Sequence, residues 1–530
     1  MSVPRIRLVL ALAAVTAFGV GACAPSSSSG LDATSSAGSD TVDDVTIALP
    51  GSLSTLDVAQ EAGSLNYQIA TITSEGLLGV NADGELVPAL AEAWSQPDAT
   101  TYVFSIRQDA KFTDGTPVTV DDILFSIDLA RDPDRSPSTS IYWPEGLTVE
   151  QTGDWEITFT LAEANVAFAW TPTAVGGLWV TSRSFYENAG TYGSSADLIL
   201  GTGAYEVVEF QPDSHVTFRA VDTWWGGTPD VKEIDVEFIP DENTRLLAQQ
   251  SGETDISLGI SLDQSEHWDS IAGSSVEYVS DRSYVGLTFD ASVEPFDDIH
   301  VRKAVAHALD RESIVSTVLH GKGEVATGLS SPAQLGSSIG EDKARELLSS
   351  LTTFDFDLTA AKAELAQSKV PNGFDLELTY PNSGPQLGQA ALTLADNLSE
   401  LGINLEVTEV PIEEWISKVG TGDYGLYYMW YLPTTGDPGE IPGWLLNPGN
   451  PAQYENDEVF SHMASSSTDL NDLTRAESII AANEIAQADV AYAPAWWGVS
   501  ATAFTDNLAP QNYTAYFFMT PWAASLTSIG

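Results

Sequence analysis

The sequence predicts an α/β protein, because segments of two-residue hydrophobic alternation take turns with segments carrying a 3.6-residue apolar stripe. Its size agrees: 530 residues at 43% hydrophobic content exceed what one compact core holds, so two or three domains are expected. An aromatic content of 9% and ordinary Gly and Pro usage mark the bulk of the chain as globular.

The elements follow in order. Asp44 to Leu49 reads as a first strand, ended by the turn Pro50-Gly51-Ser52. Tyr102, Phe104 and Ile106 alternate with smaller or polar neighbours, which suits a strand with its heavy residues on one face. A helix follows: Val120, Ile123, Leu124 and Ile127 form the stripe, Thr119 is the N-cap, and Asp122 stands at the capping-box position, with Pro133 beyond the end. Ile157, Phe159 and Leu161 alternate again, as do Ile234, Val236 and Phe238. Val301, Ala304, Val305, Ala308 and Leu309 make a second helical stripe, with Asp297 and Asp298 placed to suit the helix dipole. Phe374, Leu376, Leu378 and Tyr380 make a strand; Ala390 to Leu401 makes a helix stopped by Gly402, leading into the strand Asn404 to Val410.

The first 22 residues have another purpose. Arg5 and Arg7 precede an apolar run from Leu8 to Val20, too short for a comfortable membrane span and followed by Val20-Gly21-Ala22-Cys23. This pattern resembles a bacterial lipoprotein signal, which implies cleavage before Cys23 and acylation of that residue. Cys23 is the only cysteine, so no disulfide forms within the chain, and acylation gives the lone thiol a purpose. Acyl chains gain roughly 0.8 kcal/mol per buried methylene, enough for an anchor without a transmembrane helix. Ala24 to Asp43, rich in Ser, Thr, Gly and Ala, reads as a flexible tether spanning on the order of 25 Å. The expected location is the outer face of the cytoplasmic membrane.

The formal charge is −54. Losing Arg5 and Arg7 from the 21 basic residues leaves 19 against 75 acidic ones. Such a surface repels nucleic acid and anionic lipid, and it favours solubility outside the cell or a cationic ligand.

No convincing catalytic set is present. Gly336-Ser337-Ser338-Ile339-Gly340 matches the nucleophile-elbow pattern, but the preceding Ser330 to Leu335 reads as a polar loop where a buried strand is required. His215, His267, His300, His307, His320 and His462 form no zinc-binding pair, and Gly201-Thr202-Gly203 lacks the rest of a dinucleotide fingerprint. No enzyme activity, cofactor or metal is expected; a secreted, tethered hydrolase is the rival class.

Several stretches resemble the family 5 extracellular solute-binding proteins, which deliver peptides, oligosaccharides, nickel and related solutes to ABC importers. Glu75-Gly76-Leu77-Leu78, Pro88 to Trp94, Phe104 to Arg107 and Lys111 to Thr119 carry the resemblance first. Gly201-Thr202-Gly203-Ala204-Tyr205, Trp224-Trp225-Gly226-Gly227, Phe238 to Asp241, Gln250 to Asp255, and Pro295 to Arg311 continue it. The resemblance implies a two-lobed, periplasmic-binding-protein-like type II fold of three domains, the ligand held in the cleft between lobes. Residues 44–80, 200–288 and 500–530 would form the main domain of lobe I, 81–199 its accessory domain, and 289–499 lobe II. The chain would cross between lobes near 285–292 and 492–500. The implied partners are a small solute, oligopeptide or oligosaccharide, and the permease subunits of an importer, the protein itself being a monomer.

The resemblance also implies ligand contacts. Ala62, Gly63, Ser64 and Asn66 would form one wall, Met429, Trp430, Tyr431 and Thr434 a second, and Trp496 and Trp497 a third, with Trp143 and Trp444 as further candidates. Trp224 and Trp225 read as scaffold. One departure matters: peptide-binding members carry an aspartate shortly after the position of Trp430, where this chain reads Tyr431-Leu432-Pro433-Thr434-Thr435-Gly436-Asp437-Pro438. A buried ammonium without a carboxylate partner costs several kcal/mol, so peptide binding would need Asp437 or another acid as substitute. Without one, the 14 tryptophans suit stacking on sugar rings or another neutral solute.

Overall fold

Alternating segments become strands and striped segments become helices, close to the expected bounds. The computed structural model describes residues 43–61, 63–421 and 424–528. The signal, Cys23, nearly all of the tether and Ala62 lie outside the described residues.

The largest sheet has nine strands. Asp44–Leu49 pairs in parallel with Glu233–Phe238 on one side and Ile256–Ser257 on the other. Outward from Glu233–Phe238 the sheet continues antiparallel through His215–Ala220 to Tyr205–Gln211. In the other direction it runs through Tyr492–Thr505 and Ser274–Phe289 to Leu426–Tyr431. A separate antiparallel sheet of four strands contains Ala91–Asp98, Thr101–Ile106, Glu156–Thr160 and Thr148–Gly153. Asp375–Pro381 and Asn404–Val410 pair in parallel, joined through the helix Pro385–Ser399 as parallel strands require.

Local chemistry explains the helix starts. Thr119 and Asp122 form the expected capping box at the helix Val120–Ala130. Asp241, Asp298, Asp357 and Asn471 each accept a backbone N–H at a helix start, satisfying donors that have no partner within the helix. One expectation is corrected: Ser330 to Leu335 is not a loop, because Ser331 caps a helix, Pro332–Ile339, with proline in its first turn. The Gly336-to-Gly340 motif therefore overlaps a helix end, which is the wrong geometry for a nucleophile elbow.

Buried apolar side chains segregate by stretch of chain. One core draws on residues 45–72, 204–258 and 504–526. A second draws only on residues 77–200. Three others draw on residues from 284 to 497. The two long strands Ser274–Phe289 and Tyr492–Thr505 connect the first group to the last, and their pairing breaks register between Ser280 opposite Val499 and Tyr284 opposite Trp497. Arg282 sits inside this break with φ 65°, a left-handed conformation costly for a side chain without a local hydrogen bond to its own turn. A second irregularity follows between Val285 opposite Trp496 and Gly286 opposite Pro494.

Trp224 and Trp225 are scaffold, as read. Both indole N–H groups donate to the buried Glu75 carboxylate, at 3.3 Å and 3.0 Å, and the Arg107 guanidinium lies 3.5 Å from the Trp225 ring centroid. Burial raises the Glu75 carboxyl to about 7, against the opposing pull of the two tryptophans, Thr202 and Arg107. An acid whose folded-state pKa is raised contributes stability at low pH and loses it as pH climbs from 4.5 through 7. Urea unfolding between pH 5 and pH 8 is therefore expected to cost the wild type up to about 3 kcal/mol more than Glu75→Gln. Parallel pH profiles for the two proteins would remove Glu75 as the titrating group.

Candidate ligand-binding site

A cavity of about 1110 Å³ opens between two separately cored parts of the chain. One wall comes from residues 141–176 and the other from 431–475, including Tyr142, Glu145, Glu163 and Trp170 on the first and Tyr431, Thr434, Asp437, Glu440 and Arg475 on the second. This volume is in the range of small-solute sites, which mix apolar walls with a few polar groups.

The second wall is a shaped loop. Glu440 folds back on it: Oε1 accepts from the Thr434 N–H at 2.7 Å, and Oε2 accepts from the Thr435 N–H at 2.8 Å and its hydroxyl at 2.5 Å. Tyr431 donates its hydroxyl to the same carboxylate at 3.3 Å. Burial holds the Glu440 carboxyl above its ordinary range, opposed by these donors and by Arg282. The loop carbonyls are also taken. Arg282 Nη1 donates to Thr435 O at 2.8 Å, Gln334 Nε2 to Asp437 O at 2.5 Å, and Ser337 Oγ to Gly436 O at 2.8 Å. Ser337, set aside as a nucleophile, thus has a defined structural use.

Contacts join the two walls. Val166 N–H donates to Ser467 O at 2.9 Å, and Arg282 Nε reaches Ala515 O at 3.2 Å while its Nη1 holds Thr435. Gly436 lies directly under Trp170 and Tyr516, so close that a Cβ there would meet both rings. From the helix Ser64–Thr73, Tyr67 stacks on Trp179 at 5.6 Å and its hydroxyl lies 3.4 Å from that of Tyr142.

The expected site residues separate into groups. Tyr431, Thr434 and Asp437 line the large cavity, and the ring of the exposed Trp444 lies tilted against Tyr431, centroids 5.1 Å apart. Trp430 and Trp496 come together elsewhere, beside a hollow of about 170 Å³ that Gln386 and Gln389 also line. Gly63 caps the helix Ser64–Thr73; Ser64 is exposed, and the buried Asn66 donates to Glu61 at 3.3 Å.

Four expectations are corrected. Met429 shares a strand face with Tyr431 but lies further in along the strand, where it is buried in a core with Tyr284, Leu329 and Ile441. Trp143 is packed against Phe159 and Phe168 and donates its N–H to Gly177 O at 3.3 Å; its neighbour Tyr142 faces the cavity instead. Trp497 packs with Leu335, Leu348 and Ile480 and donates to Gly328 O at 3.2 Å, at the edge of a separate cavity of about 760 Å³ and not of this one. Asp437 is not a free substitute anchor, since its Oδ1 is paired with Arg475 Nη2 at 2.8 Å and accepts the Gly439 N–H. The residues that sequence reading missed are Tyr142, Glu440, Arg475 and Gly436. Glu440, three residues after Asp437, was the one with a local signal.

A two-part α/β chain with a solute-sized cavity between its cores, bridged by extended strands, has the architecture of a binding-protein receptor. The comparisons identify which kind. Residues 85–453 match the profile of the bacterial extracellular solute-binding proteins, family 5, middle region, and the chain belongs to that family. It is 23% identical over 387 residues to the dipeptide-binding protein of Escherichia coli (strain K12), covering 67% of this chain and 69% of that one. It is 24% identical over 475 residues to the oligopeptide-binding protein OppA of Bacillus subtilis (strain 168), covering 82% and 84%. The solved structure of the periplasmic binding protein DppA from Helicobacter pylori, in complex with peptide STSA, superposes with TM-score 0.73 at 19% identity, covering 92% of this chain and 98% of that one. The fold is that of the type II periplasmic binding proteins, and the family is one of binding proteins rather than enzymes, which disposes of the hydrolase alternative. No helix among the described residues is long and apolar enough to cross a membrane.

Proposed function

We propose that this protein is an exported receptor, anchored through acylated Cys23, that traps an oligopeptide-class solute by hinge closure and passes it to an ABC importer permease. The observation that carries the reading is the cavity of about 1110 Å³ whose two walls belong to different cores and are tied together by single hydrogen bonds. Such a space is emptied and filled by relative motion of the walls, as in hinge-closing binding proteins. Peptide-binding relatives support the choice of solute.

The segregated cores support the division into a main domain from 44–80, 200–288 and 500–530, an accessory domain from 81–199, and a second lobe from 289–499, with register breaks at 280–284 and 285–286 close to the first crossing. Arg282 in that break is the natural pivot, since its guanidinium touches both sides.

Two measurements test the reading. Native mass spectrometry of freshly purified protein is expected to find one co-purified solute per chain, released on partial unfolding; a chain that carries and binds none is not a receptor. Expressed with its leader, wild-type protein is expected in the membrane fraction and Cys23→Ser in the soluble one. Membrane association of both would overturn the acyl anchor while leaving the receptor intact.

A further inference from the structure

The cavity has an unusual charge inventory. Glu145 and Glu163 stand exposed on one wall, and Asp437 and Glu440 sit on the other. Asp437 is 4% exposed, and its Oδ2 has no hydrogen-bond partner. That oxygen is itself closed off from the cavity, so the open carboxylates of the lining are those of Glu145 and Glu163.

Counter-charge is scarce. Among the described residues lining the cavity, Arg475 is the single cation, and it is consumed: Nη2 holds Asp437 and Nε donates to Ser466 O at 3.0 Å. Arg282 lies outside the lining, with its guanidinium committed to Thr435 O and Ala515 O. A solute carboxylate brought into this space meets the exposed Glu145 and Glu163 and no available cation, since Arg475 and Asp437 satisfy each other and Glu440 is held by Thr434, Thr435 and Tyr431; a buried charge without a partner costs several kcal/mol. An ammonium or guanidinium meets the reverse situation. It also finds the faces of Tyr142, Tyr431 and Trp170 in the same walls, and aromatic faces attract desolvated cations.

We infer that the cavity takes a net-cationic, amine-bearing solute of the peptide class that presents no free carboxylate to it, a substrate class that rests on the receptor reading above. The overall acidity of the chain does not by itself produce this, because Glu145 and Glu163 stand together on one wall of the cavity and no cation of the described lining is free to offset them.

Calorimetry on the full mature chain, with any bound solute removed by unfolding and refolding, tests the inference with five probes: tri-lysine amide, tri-lysine, tri-alanine, tri-glutamate and maltotriose. Tri-lysine amide is expected to bind one per chain, at least tenfold more tightly than tri-alanine or maltotriose, and more tightly than tri-lysine with its free carboxylate. The pair Glu145→Gln and Glu163→Gln together should weaken tri-lysine amide at least fivefold with an unchanged unfolding midpoint. The remote exposed pair Glu253→Gln and Asp396→Asn should change it less than twofold. Equal weakening by both pairs would mean general charge attraction and overturn the inference. So would tri-alanine, maltotriose or tri-glutamate binding as tightly as tri-lysine amide, an outcome that leaves the receptor reading standing. Saturable binding of none of the five, with no co-purified solute, removes both.

Discussion

Arg475→Ala is expected to destabilise the protein by about 3–5 kcal/mol, the usual cost of stripping one partner from a buried ion pair. Arg475 is 8% exposed and Asp437 4%, so neither group can turn to water when the other is removed. The loss is sharpened by the state of the acid, because Asp437 Oδ2 already lacks a partner and Oδ1 would retain only the Gly439 N–H. Arg475 also ties Ser466 O, at the end of the helix Asp457–Ser466, to the cavity wall. The double variant Asp437→Ala with Arg475→Ala should recover part of the loss, because it removes the stranded charge as well. Urea unfolding of wild type, both single variants and the double variant gives the coupling energy directly. A double variant no more stable than Arg475→Ala would mean that Asp437 is hydrated in the single variant, and the account of the buried pair would fail.

Much of the fold was legible in the sequence, because regular elements report themselves locally. The alternation in Ile234, Val236 and Phe238 became the strand Glu233–Phe238 with each of those side chains buried. The capping box of Thr119 and Asp122 fixed a helix start to the residue. Ser330 to Leu335 reads as a polar loop for a local reason, its serines and proline, although proline is well suited to the first turn of a helix capped by a serine. The site was less legible, since a side chain's direction depends on register. Trp143 and Tyr142 are adjacent, and nothing in their composition says which turns inward; the extended backbone at Trp143 sends its ring to Phe159 and Phe168. Asp437 reads from sequence as a candidate anchor, but its partner Arg475 lies 38 residues away and only the fold brings them together. Gly436 was invisible for a similar reason: its importance lies in the two rings above it, both from distant parts of the chain.

Gly436→Val is expected to weaken solute capture about 5–150-fold while leaving the unfolding midpoint of the solute-free protein nearly unchanged. A Cβ at this position would run into the Trp170 indole, approaching its Cζ2 to 2.8 Å, and the Tyr516 ring, with Cε1 at 3.1 Å. Those rings have little room to yield. Trp170 and Tyr516 are 8% and 3% exposed and are held in one small core with Val80 and Val175. The loop beneath is equally fixed, through the hydrogen bonds that Arg282, Gln334 and Ser337 make to its carbonyls. Overpacking of this kind costs about 1–3 kcal/mol. Because the glycine belongs to one wall and Trp170 to the other, that cost falls on the approach of the walls and not on the folding of either part. A penalty on the binding-competent state reduces apparent affinity by the same factor as it reduces that state's population, which gives the expected range. Gly436→Ala, with a smaller side chain, should fall between wild type and valine. Calorimetry with the co-purified solute measures the affinities, and small-angle scattering should show the wild type contracting on binding more fully than the valine variant. Unchanged affinity in both variants would mean that the walls do not part and meet at Gly436, and the pivot would have to be sought elsewhere than at the break around Arg282.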